Sequence, residues 1–339
     1  MEAALSPVED FAFAVTDPSH VASARSAAQR MARALDFDEV REGRVGIVAT
    51  EAVSNMLKHA SGGTFVGRSL ARGEALGIEL LAIDSGPGMA DVAESSRDGV
   101  STAGTRGNGL GAMQRQSDEF EVYSRPGEGT IVRMMSWNRP PPALTDTHEV
   151  GAVCIPKPGE TVCGDAWDVQ FHGDGATFLV ADGLGHGPDA RRAAMTAVEV
   201  LRRTPDYPAI RILDHAHGRL RPTRGAAVAV LRHDARTGEV GYAGVGNIAA
   251  VIIEGTTRQA MVSHSGIVGH NMHKSQEYRY RWPRGALMVA HSDGLETQWD
   301  LAAQPGLSDC HPTVIAAALF RKHSRTRDDC TVVVAKALR

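Results

Sequence analysis

Three consecutive prolines, Pro140–Pro142, interrupt this chain of 339 residues. A proline run cannot lie in a helix interior or a central strand, because each proline lacks a backbone N–H and fixes its own φ. We therefore predict a linker at 138–148, stiff at its start, between one domain at 1–137 and another at 149–339. A chain of this length also fits two domains of ordinary size.

The composition excludes several classes of protein. Hydrophobic residues make up 42% and charged residues 22% of the chain, which is typical of a folded globular protein. We expect no transmembrane helix, since no apolar run is long enough, and no secretory signal, since the first residues lack a basic segment. The four cysteines form no CxxC pair, and the net charge is −4. These features argue against a zinc ribbon, a disulfide framework and binding to nucleic acid or membrane, and they favour the cytoplasm.

The first part reads as a sheet with helices on one face. An apolar run at Phe11–Val15 predicts a strand, and Asp17-Pro18-Ser19 predicts the start of a helix to about Leu35. The remaining predictions are a helix at about Glu39–His59, a strand at Gly77–Ile83, and a hairpin of Phe120–Ser124 with Thr130–Trp137.

The second part is richer in strands. Its many strands and few helices predict a sandwich of sheets covered by helices. The predicted strands are Ala176–Ala181, Ala226–His233, Glu239–Ala243, Ile248–Ile253, Leu287–His291 and Thr331–Lys336. The predicted helices are Asp189–Arg203, about Ala209–Leu220 and Pro312–His323.

The helix in the sequence VGIVATEAVSNMLKH presents two polar side chains together. At about 100° per residue, Glu51 and Asn55 are neighbours, with Lys58 beside them. A carboxylate can orient or deprotonate an attacking group, and a carboxamide oxygen suits Mg²⁺. Taken alone, the pair is better explained as a solvated helix face.

Two glycine-containing turns change that interpretation. Asp84 follows a predicted strand and begins the turn DSGPGM, where a carboxylate can hold a purine amino group while the backbone turns past the base. The cluster GNGLG at 107–111 opens a predicted helix at Ala112–Ser117, where backbone N–H groups can approach phosphates. One glycine cluster is weak evidence, but three such features in this order are strong.

The segments EAVSNMLKHA, DSGPGM and GNGLGA resemble the conserved boxes of the GHKL ATPase family. The resemblance covers 10–137 and implies a Bergerat-type α/β sandwich that binds ATP with Mg²⁺. Within the family, the first part is most similar to the serine kinases of bacterial partner switching, of the RsbT type. His20 is followed by Val21 rather than by an acidic residue, which disfavours a histidine kinase. The resemblance implies Glu51 as general base, Asn55 as Mg²⁺ ligand, Asp84 with Gly86 and Gly88 at the adenine, and Gly107, Gly109 and Gly111 at the phosphates.

Acidic residues recur at predicted turns beside strands of the second part. Asp165, Asp182, Asp293 and the pair Asp328-Asp329 each adjoin apolar sequence, and two of these sites are followed by glycine. A single aspartate of this kind is usually a turn residue. Four suggest carboxylates that converge on hard cations, and a two-metal site could activate water for attack on a phosphate ester.

The order GD, DGLGHG, SDG and RDDCT resembles the PPM-type (protein phosphatase 2C) metallophosphatases over about 150–338. The SpoIIE-like branch, and within it the RsbX type, is the most similar. The resemblance implies a PPM-type α-β-β-α sandwich with two Mn²⁺ or Mg²⁺ ions. It implies Asp182 as the bridging ligand, completed by the Gly183 carbonyl, Asp165, Asp293 and Asp328. Asp329 is the alternative to Asp328, which aligns better with the family's aspartate. No basic residue matches the phosphate-binding arginine of the eukaryotic enzymes. His186 is either a turn residue or a proton shuttle.

Together these resemblances imply an α/β (α+β) protein of two domains with opposing activities. The first would phosphorylate a serine or threonine of a STAS-domain partner, and the second would remove the phosphate. The alternative is a metal-dependent phosphatase gated by a first domain that binds nucleotide and partner without transferring phosphate.

Overall fold

The computed structural model describes residues 10–92, 109–142, 147–173, 175–272 and 275–338. The chain forms two compact units, one made of the described residues up to 142 and the other of those from 147 onward. Within these ranges, the helices are all too short or too polar to cross a lipid bilayer.

The first unit is one antiparallel sheet with helices packed against it. The strand order is β1-β2-β3-β5-β4. Buried apolar residues of the helices and of the facing strand positions form one core, which confirms the predicted α/β sandwich. The strands are β1 (Phe11–Val15), β2 (Gly63–Arg72), β3 (Ala75–Ile83), β4 (Glu119–Arg125) and β5 (Gly129–Trp137), and the described helices are α1 (Ser19–Ala34), α2 (Glu39–Ala60) and α3 (Gly109–Gln116).

Helix α2 positions the polar pair singled out from the sequence. It begins after Asp38, whose side chain accepts a hydrogen bond from the Arg41 N–H at 2.8 Å, and it ends at Ser61 in the left-handed conformation. Both are typical helix-capping arrangements. The apolar stripe that includes Val45, Ala49, Ala52 and Met56 is buried. Glu51 and Asn55 consequently lie half-buried on the flank of this stripe.

Strand β2 is absent from the sequence-based prediction although it lies inside the sheet, between β1 and β3. The polar residue Arg68 interrupts the apolar pattern of this strand, yet it is buried. Its Nη2 donates to Glu79 Oε2 at 2.5 Å, and Arg133 Nε donates to Glu79 Oε1 at 2.6 Å. The sequence pattern predicts that Arg68 is exposed, but Glu79 on the neighbouring strand neutralises its charge and allows it to be buried.

The second unit contains two five-stranded antiparallel sheets, in the orders β13-β10-β9-β8-β7 and β12-β11-β14-β15-β6. The strands are β6 (His148–Ile155), β7 (Asp165–His172), β8 (Gly175–Gly183), β9 (Ala226–Asp234), β10 (Glu239–Val245), β11 (Ala249–Glu254), β12 (Thr257–Ala260), β13 (Tyr278–Arg281), β14 (Leu287–His291) and β15 (Cys330–Ala337). The helices are α4 (Gly187–Arg203), α5 (Ala209–Leu220) and α6 (Pro312–His323), with a short 3₁₀ turn at Leu307–Asp309.

The two sheets face each other across a buried apolar core. Helices α4 and α5 cover the outer face of the β7-containing sheet through a second core, and α6 packs on β6 and β15 of the other sheet. The order of layers is therefore helix, sheet, sheet, helix, which confirms the predicted sandwich. Strands β6, β7, β12 and β13 were not predicted from the sequence.

Candidate nucleotide site and candidate metal centre

The amide of Asn55 and the first residue of α3 lie in direct contact. A Cβ added to Gly109 would lie 2.8 Å from Asn55 Nδ2 and 2.9 Å from Asn55 Oδ1. Only glycine therefore fits without displacing the amide. The N-terminus of α3 is thus adjacent to the polar flank of α2, and the N–H groups at a helix N-terminus are suited to binding an anion. The helix starts at Gly109, earlier than the predicted Ala112.

Asp84 follows β3 directly, and its carboxylate is held by the neighbouring backbone. Its Oδ1 accepts hydrogen bonds from the Gly86 N–H at 2.9 Å and from the Thr130 N–H at 3.1 Å. The Asp84 N–H also donates to Thr130 O at 2.9 Å. The side chain is therefore fixed in orientation by its own turn and by β5. Sequence reasoning missed Thr130, because a threonine in a strand is ordinary.

The glycines of the DSGPGM turn are required by close packing. A Cβ on Gly86 would lie 2.6 Å from the Cβ of Ala60, at the end of α2. Gly88 has φ +68°, and its Cβ would lie 1.9 Å from Arg125 O, at the end of β4. The turn is thus wedged between α2 and the β4–β5 hairpin, which brings the Asp84 group and the Asn55 group to the same half of α2.

The remaining residues predicted for the nucleotide site of this unit are Gly111, Gly107 and Glu51. Gly111 is buried in the first turn of α3. Gly107 lies outside the described residues, as does the rest of 93–108. Glu51 is half-buried one turn before Asn55. The described arrangement can therefore present a carboxylate, a carboxamide and a helix N-terminus to one bound molecule.

In the second unit, Asp165 and Asp182 lie directly opposite each other on paired strands. Asp165 is the first residue of β7, and Asp182 is its Cα partner near the end of β8. The expectation that these two residues lie in turns is therefore wrong. They occupy strand ends because backbone pairing continues to the edge of the sheet, where side chains need not be apolar.

The two carboxylates strongly disfavour their charged forms. Burial raises the pKa of Asp165 to about 7. Burial, followed by repulsion from Asp165, Asp293 and Asp328, raises the pKa of Asp182 to about 8. Carboxylates forced together in this way release their protons when a cation binds among them.

The Asp328-Asp329 pair divides into two different environments. Asp329 is buried, and its two oxygens accept hydrogen bonds from the N–H groups of Lys157 and Gly164, each at 2.9 Å. Asp328 is exposed and contributes to the repulsion on Asp182. Both oxygens of Asp329 are thus occupied by hydrogen bonds from the backbone. Asp328 is the carboxylate of the pair that faces solvent.

Two further predicted residues lie at the same end of the sandwich. Asp293 is half-buried, and its Oδ2 accepts a hydrogen bond from Asn247 Nδ2 at 2.7 Å. The Gly183 N–H donates to Gly164 O at 3.4 Å. A Cβ on Gly183 would lie 2.0 Å from Ala190 O, so only glycine lets α4 approach here.

The donor set fits hard divalent cations. Carboxylate and carbonyl oxygens are the ligands that Mg²⁺ and Mn²⁺ prefer, and Mg²⁺ keeps several waters. Within the ranges that the structure describes, no three acidic, imidazole or thiol side chains already form a closed cage. The repulsion of Asp182 by Asp165, Asp293 and Asp328 nevertheless indicates that the predicted carboxylate ligands are neighbours. A bound cation would relieve this repulsion.

Residues outside the prediction hold this cluster in place. Ser292 Oγ donates to Asp165 Oδ2 at 2.7 Å, and Arg191 Nη1 donates to the Asp165 carbonyl. Arg191 brings a basic side chain to a site where the sequence offered no obvious one. His186 is exposed and its Nδ1 lies 2.6 Å from Glu160 Oε1. Ser292 belongs to the SDG segment, but the sequence assigned no role to it or to Arg191, because each acts on a residue distant in the chain.

Comparison with known proteins finds two family matches and two relatives. Residues 14–136 match the family described as "Histidine kinase-like ATPase domain", and residues 172–338 match "Stage II sporulation protein E (SpoIIE)". The chain is 32% identical over 119 residues to the serine/threonine-protein kinase RsbT of Bacillus subtilis (strain 168), which covers 35% of this chain and 90% of RsbT. It is 21% identical over 140 residues to the phosphoserine phosphatase RsbX of the same organism, which covers 41% of this chain and 70% of RsbX.

One solved structure is similar at comparable identity. It comes from work entitled "The bacterial stressosome: a modular system that has been adapted to control secondary messenger signaling". The identity is 32% and the TM-score 0.53, with 56% of this chain and 100% of the other covered.

Proposed function

Because the chain belongs to the histidine kinase-like ATPase family and continues into a SpoIIE domain, we propose that it is a partner-switching regulator with two opposing activities. The first unit is an ATP-dependent serine kinase, and the second is a metal-dependent phosphoserine phosphatase. The observation that supports the phosphatase most directly is the group of mutually repelling carboxylates around Asp165 and Asp182.

In the first unit, the proposed roles follow from the contacts along α2. Asn55, held against Gly109, binds the Mg²⁺ that accompanies ATP, and the N-terminus of α3 faces the phosphates. Asp84, oriented by Gly86 and Thr130, accepts from the adenine amino group. Glu51 then accepts the proton of the attacking hydroxyl. These assignments give Glu51 a role in transfer rather than in binding.

In the second unit, Asp182, Asp165, Asp293, Asp328 and the Gly183 carbonyl would hold two Mn²⁺ or Mg²⁺ ions, with Asp182 shared between them. Bound metal supplies an acidified water and neutralises phosphoryl oxygens. Ser292 orients Asp165, and Asp329 fixes the loop at Gly164. Arg191 places a positive charge beside the cluster.

The proposed substrate is a serine or threonine on a STAS-domain partner. This assignment rests on the likeness to RsbT and to a structure from a stressosome study. Both activities would then act on one side chain, and their balance would set the phosphorylation state of the partner. We propose the cytoplasm as the location of this switch.

The test uses the full chain with [γ-³²P]ATP and STAS-domain proteins encoded nearby. We expect labelling of one partner with Mg²⁺, and loss of the label after Mn²⁺ is added. Glu51→Ala should bind ATP normally but transfer no phosphate. The matched control is Glu39→Ala, an exposed glutamate in the first turn of the same helix. Labelling that persists in Glu51→Ala would contradict the assigned base.

The phosphatase is tested separately on the phosphorylated partner. Asp182→Asn and Asp293→Asn should abolish release of phosphate while the chain stays folded. Asp206→Asn is the control, since Asp206 is exposed and lies beside His172, at the opposite end of β7 from Asp165. A stable phosphoserine in the presence of active wild-type chain and Mn²⁺ would refute the shared substrate, even if a simple aryl phosphate were hydrolysed.

If no partner is labelled although the chain binds ATP and dephosphorylates phosphoserine, the first unit is a gate rather than a kinase. ATP should then change the phosphatase rate, and Asn55→Ala should remove that effect.

A further inference from the structure

Two of the four cysteines lie against each other beneath the candidate metal centre. All four are free thiols. The side chains of Cys154 and Cys163 lie close enough that each shifts the pKa of the other thiol. Cys154 belongs to β6 in one sheet, and Cys163 lies two residues before β7 in the other. The contact therefore connects the two sheets of the sandwich.

This thiol pair is continuous with the residues that hold the carboxylates. Cys154 Sγ donates to the Asp165 carbonyl at 3.7 Å. Gly164, directly after Cys163, donates its N–H to Asp329 Oδ2 at 2.9 Å. The Asp165 carboxylate in turn accepts a hydrogen bond from the Ser292 hydroxyl at 2.7 Å. A shift of the Cys163 backbone is thus transmitted to Asp165 through a single intervening glycine.

The other two cysteines do not share this arrangement. Cys330 neighbours Thr331, which is the β15 partner of Cys154, so the Cys330 side chain points to the opposite face of that sheet. Cys310 lies outside the strands, and its Sγ contacts Gly306 O. Cys154 is partly exposed, whereas Cys163 is buried. Cys154 is therefore the member of the pair that an oxidant reaches first.

We propose that Cys154 and Cys163 form a reversible disulfide that reshapes the metal centre when a peroxide oxidises the protein. Cys154 attacks hydrogen peroxide, which gives a sulfenic acid on Cys154 and one water. The Cys163 thiol then displaces the sulfenic hydroxyl, which leaves as a second water, and the S–S bond forms. Two thiols lose two electrons and two protons, and the peroxide is reduced. Thiol exchange with a reduced dithiol restores the pair.

The consequence for metal binding follows from geometry. A disulfide brings its sulfurs to about 2.05 Å, closer than two sulfur atoms that share no bond can approach. The buried Cys163 segment must shift toward β6, and Gly164 and Asp165 move with it. Loss of an outer contact around a ligand commonly lowers metal affinity by about tenfold or more. We expect a loss of that size for Mn²⁺ on oxidation. This consequence rests on the proposed metal site, whereas the disulfide itself does not.

The covalent claim is tested first, on the full chain treated with hydrogen peroxide. Cleavage after glutamate, at Glu149, Glu160 and Glu199, puts the two cysteines in separate peptides that contain no other cysteine. Mass spectrometry should find these peptides cross-linked, and a dithiol should separate them. Cys154→Ser should lose the cross-link, and Cys310→Ser should retain it. Peptides that stay separate in the wild type, with Cys154 either unmodified or over-oxidised, would overturn the proposal.

The second readout is Mn²⁺ binding by calorimetry, before and after oxidation. Wild type and Cys310→Ser should lose affinity about tenfold and recover it with dithiol. Cys154→Ser should bind Mn²⁺ equally in both states. A cross-link without any change in affinity would overturn the claim that the disulfide reshapes the centre. Absence of Mn²⁺ binding in the reduced chain would instead count against the proposed phosphatase, because the cross-link is detected independently.

Discussion

The Ser292 hydroxyl and the Asp165 carboxylate join the two sheets of the second unit, with Oγ donating to Oδ2 at 2.7 Å. Ser292 is itself held by Thr331, whose N–H donates to Ser292 Oγ at 3.0 Å and whose carbonyl accepts from the Ser292 N–H at 3.0 Å. Ser292 and Asp165 are both buried. The hydroxyl therefore has one direction available for its proton, and that direction fixes the Asp165 carboxylate.

Ser292→Ala should consequently weaken Mn²⁺ binding by about tenfold, because Asp165 loses the donor that orients it. Isothermal titration calorimetry of the full chain measures the change. The control is Ser275→Ala, which removes a hydroxyl that donates to Asp214 on α5 at 3.0 Å. Equal Mn²⁺ affinity in the two variants would show that the Ser292 contact has no part in the site.

Gly109→Ala should lower the affinity for ATP with Mg²⁺ by about tenfold, or about 1.4 kcal/mol. The added Cβ would lie 2.8 Å from Asn55 Nδ2, so either the amide or α3 must shift. Calorimetric titration with ATP gives the measurement.

The matched control is Gly43→Ala on α2, where an added Cβ meets nothing within 4 Å. That change should leave ATP affinity intact and raise stability by about 0.5–1 kcal/mol, since alanine favours the helix. If the two variants bind ATP equally, Asn55 does not belong to the site.

Helices were the most predictable part of the fold because their signals are local. The predicted bounds of Ala209–Leu220 and Pro312–His323 agree with α5 and α6. A proline precedes one of these helices and begins the other, and an apolar face continues through each. Neither feature depends on residues far away in the chain.

Three of the missed strands depend instead on contacts between residues on different elements. Strands β2, β6 and β7 contain or begin with polar residues that distant partners satisfy, namely Arg68 with Glu79, His148 with His233, and Asp165 with Ser292. A sequence pattern reads such residues as exposed, since their partners are unknown until the fold forms. The same limit applied to the candidate sites. The acidic residues were identified beside glycines, whereas the roles of Ser292, Asn247 and Thr130 were not, since each depends on a partner distant in the chain.

The buried Glu79 should contribute strongly to the stability of the first unit. It accepts from Arg68 at 2.5 Å and from Arg133 at 2.6 Å, and its removal takes from two buried guanidinium groups the carboxylate that they share. We expect Glu79→Ala to lower the free energy of unfolding by about 3–5 kcal/mol. Chemical denaturation is the measurement.

Glu74→Ala serves as the control for Glu79. The Glu74 side chain is 93% exposed and lies 3.6 Å from Arg139, so its loss should change stability by less than about 1 kcal/mol. Similar losses in both variants would contradict the special role of the buried pairings. Glu79→Gln distinguishes the loss of charge from the loss of volume. The amide keeps the volume of the side chain but carries no charge to pair with the two arginines.

Two buried histidines form a directed hydrogen-bond chain in the core of the second unit. His233 Nε2 donates to the Trp282 carbonyl at 3.1 Å, which leaves its Nδ1 to accept from His148 Nε2 at 2.6 Å. The Thr147 hydroxyl then donates to His148 Nδ1 at 2.7 Å. A proton on His233 Nδ1 would face the His148 Nε2–H, whereas a proton on His148 Nδ1 would require the Thr147 hydroxyl to turn and accept. The cost of charging His148 therefore comes from its burial rather than from a lost hydrogen bond.

The buried His148 should make the free energy of unfolding of the second unit fall as the pH is lowered. Burial, then the charges of His233 and His172, lower the pKa of His148 to about 3. The unfolded histidine titrates near about 6.5, so below that pH the unfolded state binds a proton that the folded state refuses. The stability contributed by neutral His148 is complete above about pH 6.5 and is lost as the pH falls toward about 3. Between pH 7.5 and 5.5 the loss is about 1 kcal/mol.

His148→Leu should remove this loss, and the comparison of variant with wild type isolates it, because the carboxylates around Asp182 titrate in both proteins. The measurement is the unfolding free energy of the second unit at several pH values, followed by the fluorescence of its tryptophans. His215→Leu, which changes an exposed histidine on α5, should follow the wild-type slope. A His148→Leu curve parallel to wild type from pH 7.5 to 5.5 would mean that the buried ring accepts a proton without cost, contrary to the effect expected of its burial.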